Sequence, residues 1–88
     1  MRFRAAIHVM LKKDVADVQG IAIQQSLARH GHAVSAVKAG KYFELEIEAD
    51  NKLAATNILN ALADGVFSNP VIEEFRCECE EANSSHKE

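Results

Sequence analysis

Long apolar runs, a cysteine framework and a surplus of positive charge are all missing from this 88-residue chain, and each absence removes a class of protein. No run approaches the roughly 18 apolar residues that a membrane-spanning helix needs. The opening Met1-Arg2-Phe3-Arg4 leads into an alternating pattern rather than a continuous apolar stretch, which predicts no secretory signal and a cytoplasmic location. Cys77 and Cys79 are the only cysteines, too few for a disulfide scaffold; their i, i+2 spacing reads as two small hydrophobes on one strand face. No further ligands stand near them at metal-binding spacing, so no zinc site is expected. A net charge of −3 lacks the basic excess that binding to nucleic acid requires.

What remains is an ordinary globular composition, 48% apolar and 26% charged, at a length that allows one domain. A chain of this size buries roughly 60–65% of its surface, enough for one modest core, so self-association is plausible from the outset. Charge is unevenly spread. Residues 1–41 hold seven Lys/Arg against two Asp, a net +5, and residues 42–88 carry a net −8. One domain accommodates this only if the two halves interleave on neighbouring strands.

Periodicity predicts six elements. Phe3, Ala5, Ile7, Val9 and Leu11 alternate with Arg4, Ala6, His8 and Met10, as in a half-buried strand. A helix capped by Asp14 or Asp17 follows, to about His30, with Gly31 as its left-handed stop. Its stripe is Gln19, Ile23, Leu27 and His30, and Ile21 falls on the opposite, nominally wet side. Ala33–Ala39 reads as a short strand, with Gly40 at a hairpin or bulge. Lys41–Ala49 alternates again, placing Phe43, Leu45 and Ile47 inward and Tyr42, Glu44, Glu46 and Glu48 outward. A second helix capped by Asp50 or Asn51 carries Ala55, Ile58, Leu59, Leu62 and Val66 on one face, and Asn69-Pro70 ends it. Val71–Cys79 is the last strand. The expected fold is therefore α+β: a ferredoxin-like βαββαβ sandwich, a four-stranded antiparallel sheet with two helices on one face and the first strand in the middle. Residues 1–81 form the domain and 82–88 read as a disordered tail.

No catalytic constellation emerges. Val18-Gln19-Gly20-Ile21-Ala22-Ile23-Gln24 is similar to the phosphate loop of acylphosphatases, but Gln24 stands where that enzyme carries its phosphate-gripping arginine. A neutral amide cannot replace the charged, bidentate guanidinium. Gly40-Lys41 lacks the upstream glycine and following Ser/Thr of a nucleotide loop. His30 and His32 suit a helix C-terminus. His8 reads as an ordinary open-face residue, and Glu44, Glu46 and Glu48 as a solvated or cross-paired row.

Three strings in order carry a resemblance: Asp17-Val18-Gln19-Gly20, Val34-Ser35-Ala36-Val37-Lys38-Ala39-Gly40-Lys41-Tyr42-Phe43-Glu44-Leu45, and Asn69-Pro70-Val71-Ile72-Glu73-Glu74-Phe75. Together they resemble the PurS family, the small subunit of phosphoribosylformylglycinamidine (FGAM) synthase, over residues 5–81. Val18 stands where that family usually has proline, and Lys38 where it often has arginine. The resemblance implies a ferredoxin-like subunit that self-associates as a homodimer or tetramer. It further implies a bridge between a PurQ-type glutaminase and a PurL-type synthetase, so that ammonia from glutamine reaches the synthetase. The small subunit would have no catalytic residue, metal or cofactor of its own, while the complex, a C–N ligase, uses ATP, Mg and glutamine. Gln19, Gly20, Ile21, Lys38, Gly40, Lys41 and Tyr42 are the expected partner or oligomer contacts. An ACT-type ligand-binding regulatory module, with the same expected element order, is the alternative from another functional class.

Overall fold

The computed structural model describes residues 1–82, so the tail expectation for 83–88 lies outside the described residues. Five elements follow one another: β1 (Arg2–Leu11), α1 (Val18–Arg29), β2 (Gly40–Glu48), α2 (Lys52–Ala63) and β3 (Glu73–Glu81). The sheet order is β2-β1-β3, antiparallel throughout, so the first strand is central as its pattern predicts.

Register turns the period-two pattern into two faces. Ile7 lies opposite Phe43 and Cys77, and Ala5 opposite Leu45 and Cys79. With Val9 they meet Leu59 and Ala63 of α2 to form the core, and Phe67 and Phe75 pack around them. On the other face Arg4, Ala6 and His8 stand between glutamate-bearing edge strands. Arg2 reaches Glu46 at 3.7 Å. The opposed charges of the two halves of the sequence therefore meet on this surface.

The sheet has three strands, not the expected four. Residues 33–39 form no regular element and lie against α1 instead of joining the sheet. The side-chain amide of Gln24 donates to the Val34 carbonyl at 3.0 Å, and the Ala39 N–H donates to the Asp17 carboxylate at 2.8 Å. The physical reason lies in spacing. Val34 and Val37 are three apart, so they cannot share one face of a strand, and their neighbours are Ala, Ser and Lys. The βαββαβ order that would suit an ACT-type module is absent with that strand.

The second correction concerns the layers. α2 alone lies against the sheet, over β3 and β1, while α1 makes no comparable contact with any strand. α1 and residues 32–39 form an arm. The Cα radius of gyration is 16.9 Å, against about 12 Å for a compact chain of this length.

Both helix caps resolve to one candidate each, Asp17 for α1 and Asn51 for α2, whose side chain accepts from the Ala54 N–H at 2.8 Å. α2 stops at Ala63, short of the expected end. Gly65, two residues past Ala63, takes φ +99°, a left-handed conformation that cannot continue the helix. Val66 is consequently 70% exposed and Phe67 takes the inward place, its ring 4.8 Å from that of Phe43. β3 likewise begins later than expected, leaving Val71 77% exposed in the preceding turn.

Candidate functional site

The expected contact residues divide into three places. Gln19, Gly20, Gly40 and Lys41 gather with Asp17 at the base of the arm, Ile21 and Lys38 lie exposed along it, and Tyr42 faces the opposite side of the sheet. Lys41 and Tyr42 are adjacent in sequence, so a strand sends them to opposite faces.

The arm base is built around one carboxylate. Asp17 accepts from the Gly20 N–H at 2.8 Å, capping α1, and its other oxygen accepts from Ala39. These two N–H donors, Ala39 first, hold the Asp17 carboxyl below its ordinary value, with Lys38 adding a weaker pull. Gly20 is buried, and a Cβ there would collide with the backbone carbonyl of Val37. Its role is close approach: helix and the 33–39 segment touch because a side chain is missing. Gly40 similarly lies against the Val9 carbonyl and the Met10 thioether. A shallow cavity of about 310 Å³ lies here, bounded by Leu11, Asp17, Gln19, Gly40, Lys41 and Glu73.

Lys41 is an ion-paired residue rather than a freely solvated one. Its ammonium lies 3.1 Å from Glu73, whose side chain is only 12% exposed. Glu73 also accepts from the Asn69 N–H at 2.7 Å. That bond, followed by the Lys41 contact, pulls the Glu73 carboxyl below its ordinary value. The sequence signal for Glu73 is an acid at an inward position of an alternating strand. Asp17 was legible as a cap, whereas its bond to Ala39 spans 22 residues and leaves no local trace.

Tyr42 belongs to a polar cluster on the helix-free face. Its hydroxyl donates to Glu44 at 2.9 Å, which raises the phenol above its usual value, and its ring lies 4.9 Å from that of His8. Nε2 of His8 is 3.6 Å from Glu78.

This geometry favours contact over chemistry. Gln24, at the acylphosphatase arginine position, is spent on the Val34 carbonyl, and Asp17 puts a negative charge at the N-terminus of α1 where a phosphate would sit. Cys77 and Cys79 are half-buried beside the core, and burial pushes the Cys77 thiol up, away from the reactive thiolate.

Comparison with known proteins agrees with the three sequence strings. The PurS family model, described as phosphoribosylformylglycinamidine (FGAM) synthase, matches residues 4–81. The PurS subunit of FGAM synthase from Mycobacterium leprae is 42% identical over 76 residues, covering 82% of this chain and 89% of that protein. The subunit from Bacillus subtilis is 34% identical over 80 residues, covering 90% and 94%. Among solved structures, Thermus thermophilus PurS matches with a TM-score of 0.83 at 33% identity, covering 94% of this chain and all of that one. A chain in the PurLQS structure from Thermotoga maritima matches with a TM-score of 0.83 at 32% identity, covering 91% and 99%.

Proposed function

The chain belongs to the PurS family of FGAM synthase subunits, and from that membership we propose that it is a bridging subunit which joins a PurL-type synthetase to a PurQ-type glutaminase. The observation that carries this reading is the near-complete overlap with a chain of the PurLQS structure. In this role the chain contributes surface rather than reactive groups. ATP, Mg and glutamine bind to the larger subunits, and the work is done in the cytoplasm. No helix of the described residues is long and apolar enough to cross a membrane.

Self-association is part of the same proposal. α2 lies over β1 and β3, which leaves Phe43, Leu45 and Ile47 of β2 only partly buried on the apolar face. The arm meanwhile presents Val18, Ile21 and Ile23 to solvent. Two incomplete apolar surfaces on one small chain are satisfied by a second copy.

Reconstitution tests the bridge. Purified synthetase-type and glutaminase-type partners from the same source should form FGAM from glutamine only when this chain is added. Full glutamine-dependent turnover without it would overturn the reading.

A further inference from the structure

Residues 17–39 are bonded to themselves and to little else. Asp17 accepts from Gly20 and Ala39, Gln24 donates to Val34, and the His32 N–H donates to the Leu27 carbonyl at 2.9 Å. Among the described residues, no hydrogen bond or ion pair leaves this segment for the rest of the chain, and none of its side chains joins the core. The anchors lie just outside it. The Lys12 N–H donates to the Ile72 carbonyl at 2.9 Å, and Gly40 pairs with Met10 in the sheet. The chain therefore passes between body and arm twice, through residues 13–16 and again at Ala39. The Asp17–Ala39 bond of 2.8 Å pins the two passages together. What separates the arm base from the sheet is the shallow cavity of about 310 Å³, not packed side chains.

Two passages pinned at one point make a single joint, because everything beyond them turns as a body when a few backbone torsions change. The bonds inside the segment survive such a turn, and no core side chain is exposed by it. We propose that residues 17–39 are a lever. The arm swings as one body about a joint formed by Lys13–Ala16 and Ala39, and it carries the exposed Val18, Ile21 and Ile23 through a range of angles. The lever sets the direction in which the apolar side of α1 is offered, so one small chain meets surfaces of different slope. That use rests on the bridging-subunit reading. The swing itself rests only on the bonding and packing of the arm.

Hinge motions fall between microseconds and milliseconds, a range over which residual dipolar couplings average. Backbone N–H and Cα–H couplings from β1, β2, α2 and β3 define the alignment of the body, and those from residues 17–39 define that of the arm. They are measured on wild type and on Ile21→Lys, whose charge keeps a second copy off α1. In the variant, the arm should fit one alignment tensor with about 0.8 or less of the body's magnitude, as a swing of roughly 30° either way produces. A full-sized arm tensor in wild type alone would show the lever held by a second copy, which supports the proposal. Equal magnitudes for arm and body in both proteins would overturn it. So would α1 and residues 32–39 needing different tensors, the sign of a fraying segment. Asp17→Ala removes the pin and should scale the arm's couplings down further while the body's stay the same; unchanged arm couplings would sink the pinned joint. Sedimentation of the same samples keeps the readings apart, since a wild type that remains a single copy removes self-association while the ratio of magnitudes still decides the lever.

Discussion

Asp17 joins two parts of the chain through one side chain, and this makes the arm sensitive to acid. Its carboxyl titrates lower in the folded than in the unfolded chain because two N–H groups bind the charged form. A depressed folded pKa means stability that is complete above the unfolded value and is lost as pH falls through the folded one. Glu73 follows the same sign through Asn69 and Lys41. Urea unfolding of wild type and Asp17→Asn, followed from neutral pH into the acid range, should converge as pH falls. A gap that stays constant would refute the linkage. Gly20→Ala tests the same joint sterically. A methyl group directed at the Val37 carbonyl should destabilise the chain by about 1–3 kcal/mol in denaturant titration, and a neutral effect would mean that the segment simply steps aside. The Asp17 cap and the alternating faces are legible because they are local patterns, whereas Gly40, expected at a hairpin or bulge, is the first residue of β2 and has no positive φ. The bonds from Gln24 to Val34 and from Asp17 to Ala39 are not legible, because their partners are brought together only by the turn between them.

Among the elements, strong periodicity held and weak periodicity misled. β1 and β2 alternate without interruption over nine or more residues, and both appear within a residue or two of their expected bounds. Residues 33–39 have two valines at the wrong spacing for one strand face, and the expected strand does not form. For α2 the apolar stripe extended one turn too far because Val66 fits it, although Gly65 stands directly before it. The difference is measurable. Leu59, fully buried, should cost about 2–5 kcal/mol when changed to Ala. Val66→Ala should cost under about 0.5 kcal/mol, since that side chain lies in solvent. Comparable losses at the two positions would place Val66 back in the core.

At the scale of the whole molecule, the chain is an unfinished sandwich: among the described residues one helix packs on β3 and β1 of a three-stranded sheet, and the other is held out on an arm. The sequence hinted at this through Ile21 on the wet side of its helix, 50% exposed in the structure. Length and charge gave one domain with interleaved halves, but which layer would be missing depended on a strand that does not form. If a second copy supplies that layer, stability must depend on concentration, because association is linked to folding. Thermal unfolding between low and high micromolar concentration should then shift upward, and sedimentation should give a multiple of the 9.7 kDa chain mass. Ile21→Lys places a charge on the exposed side of α1 without touching the Asp17 joint or the core, so it should lower the sedimenting mass while leaving the helical signal intact. A wild-type mass near that of one chain would remove self-association altogether. An Ile21→Lys variant that sediments like wild type would leave association standing but move it off the arm, onto the sheet.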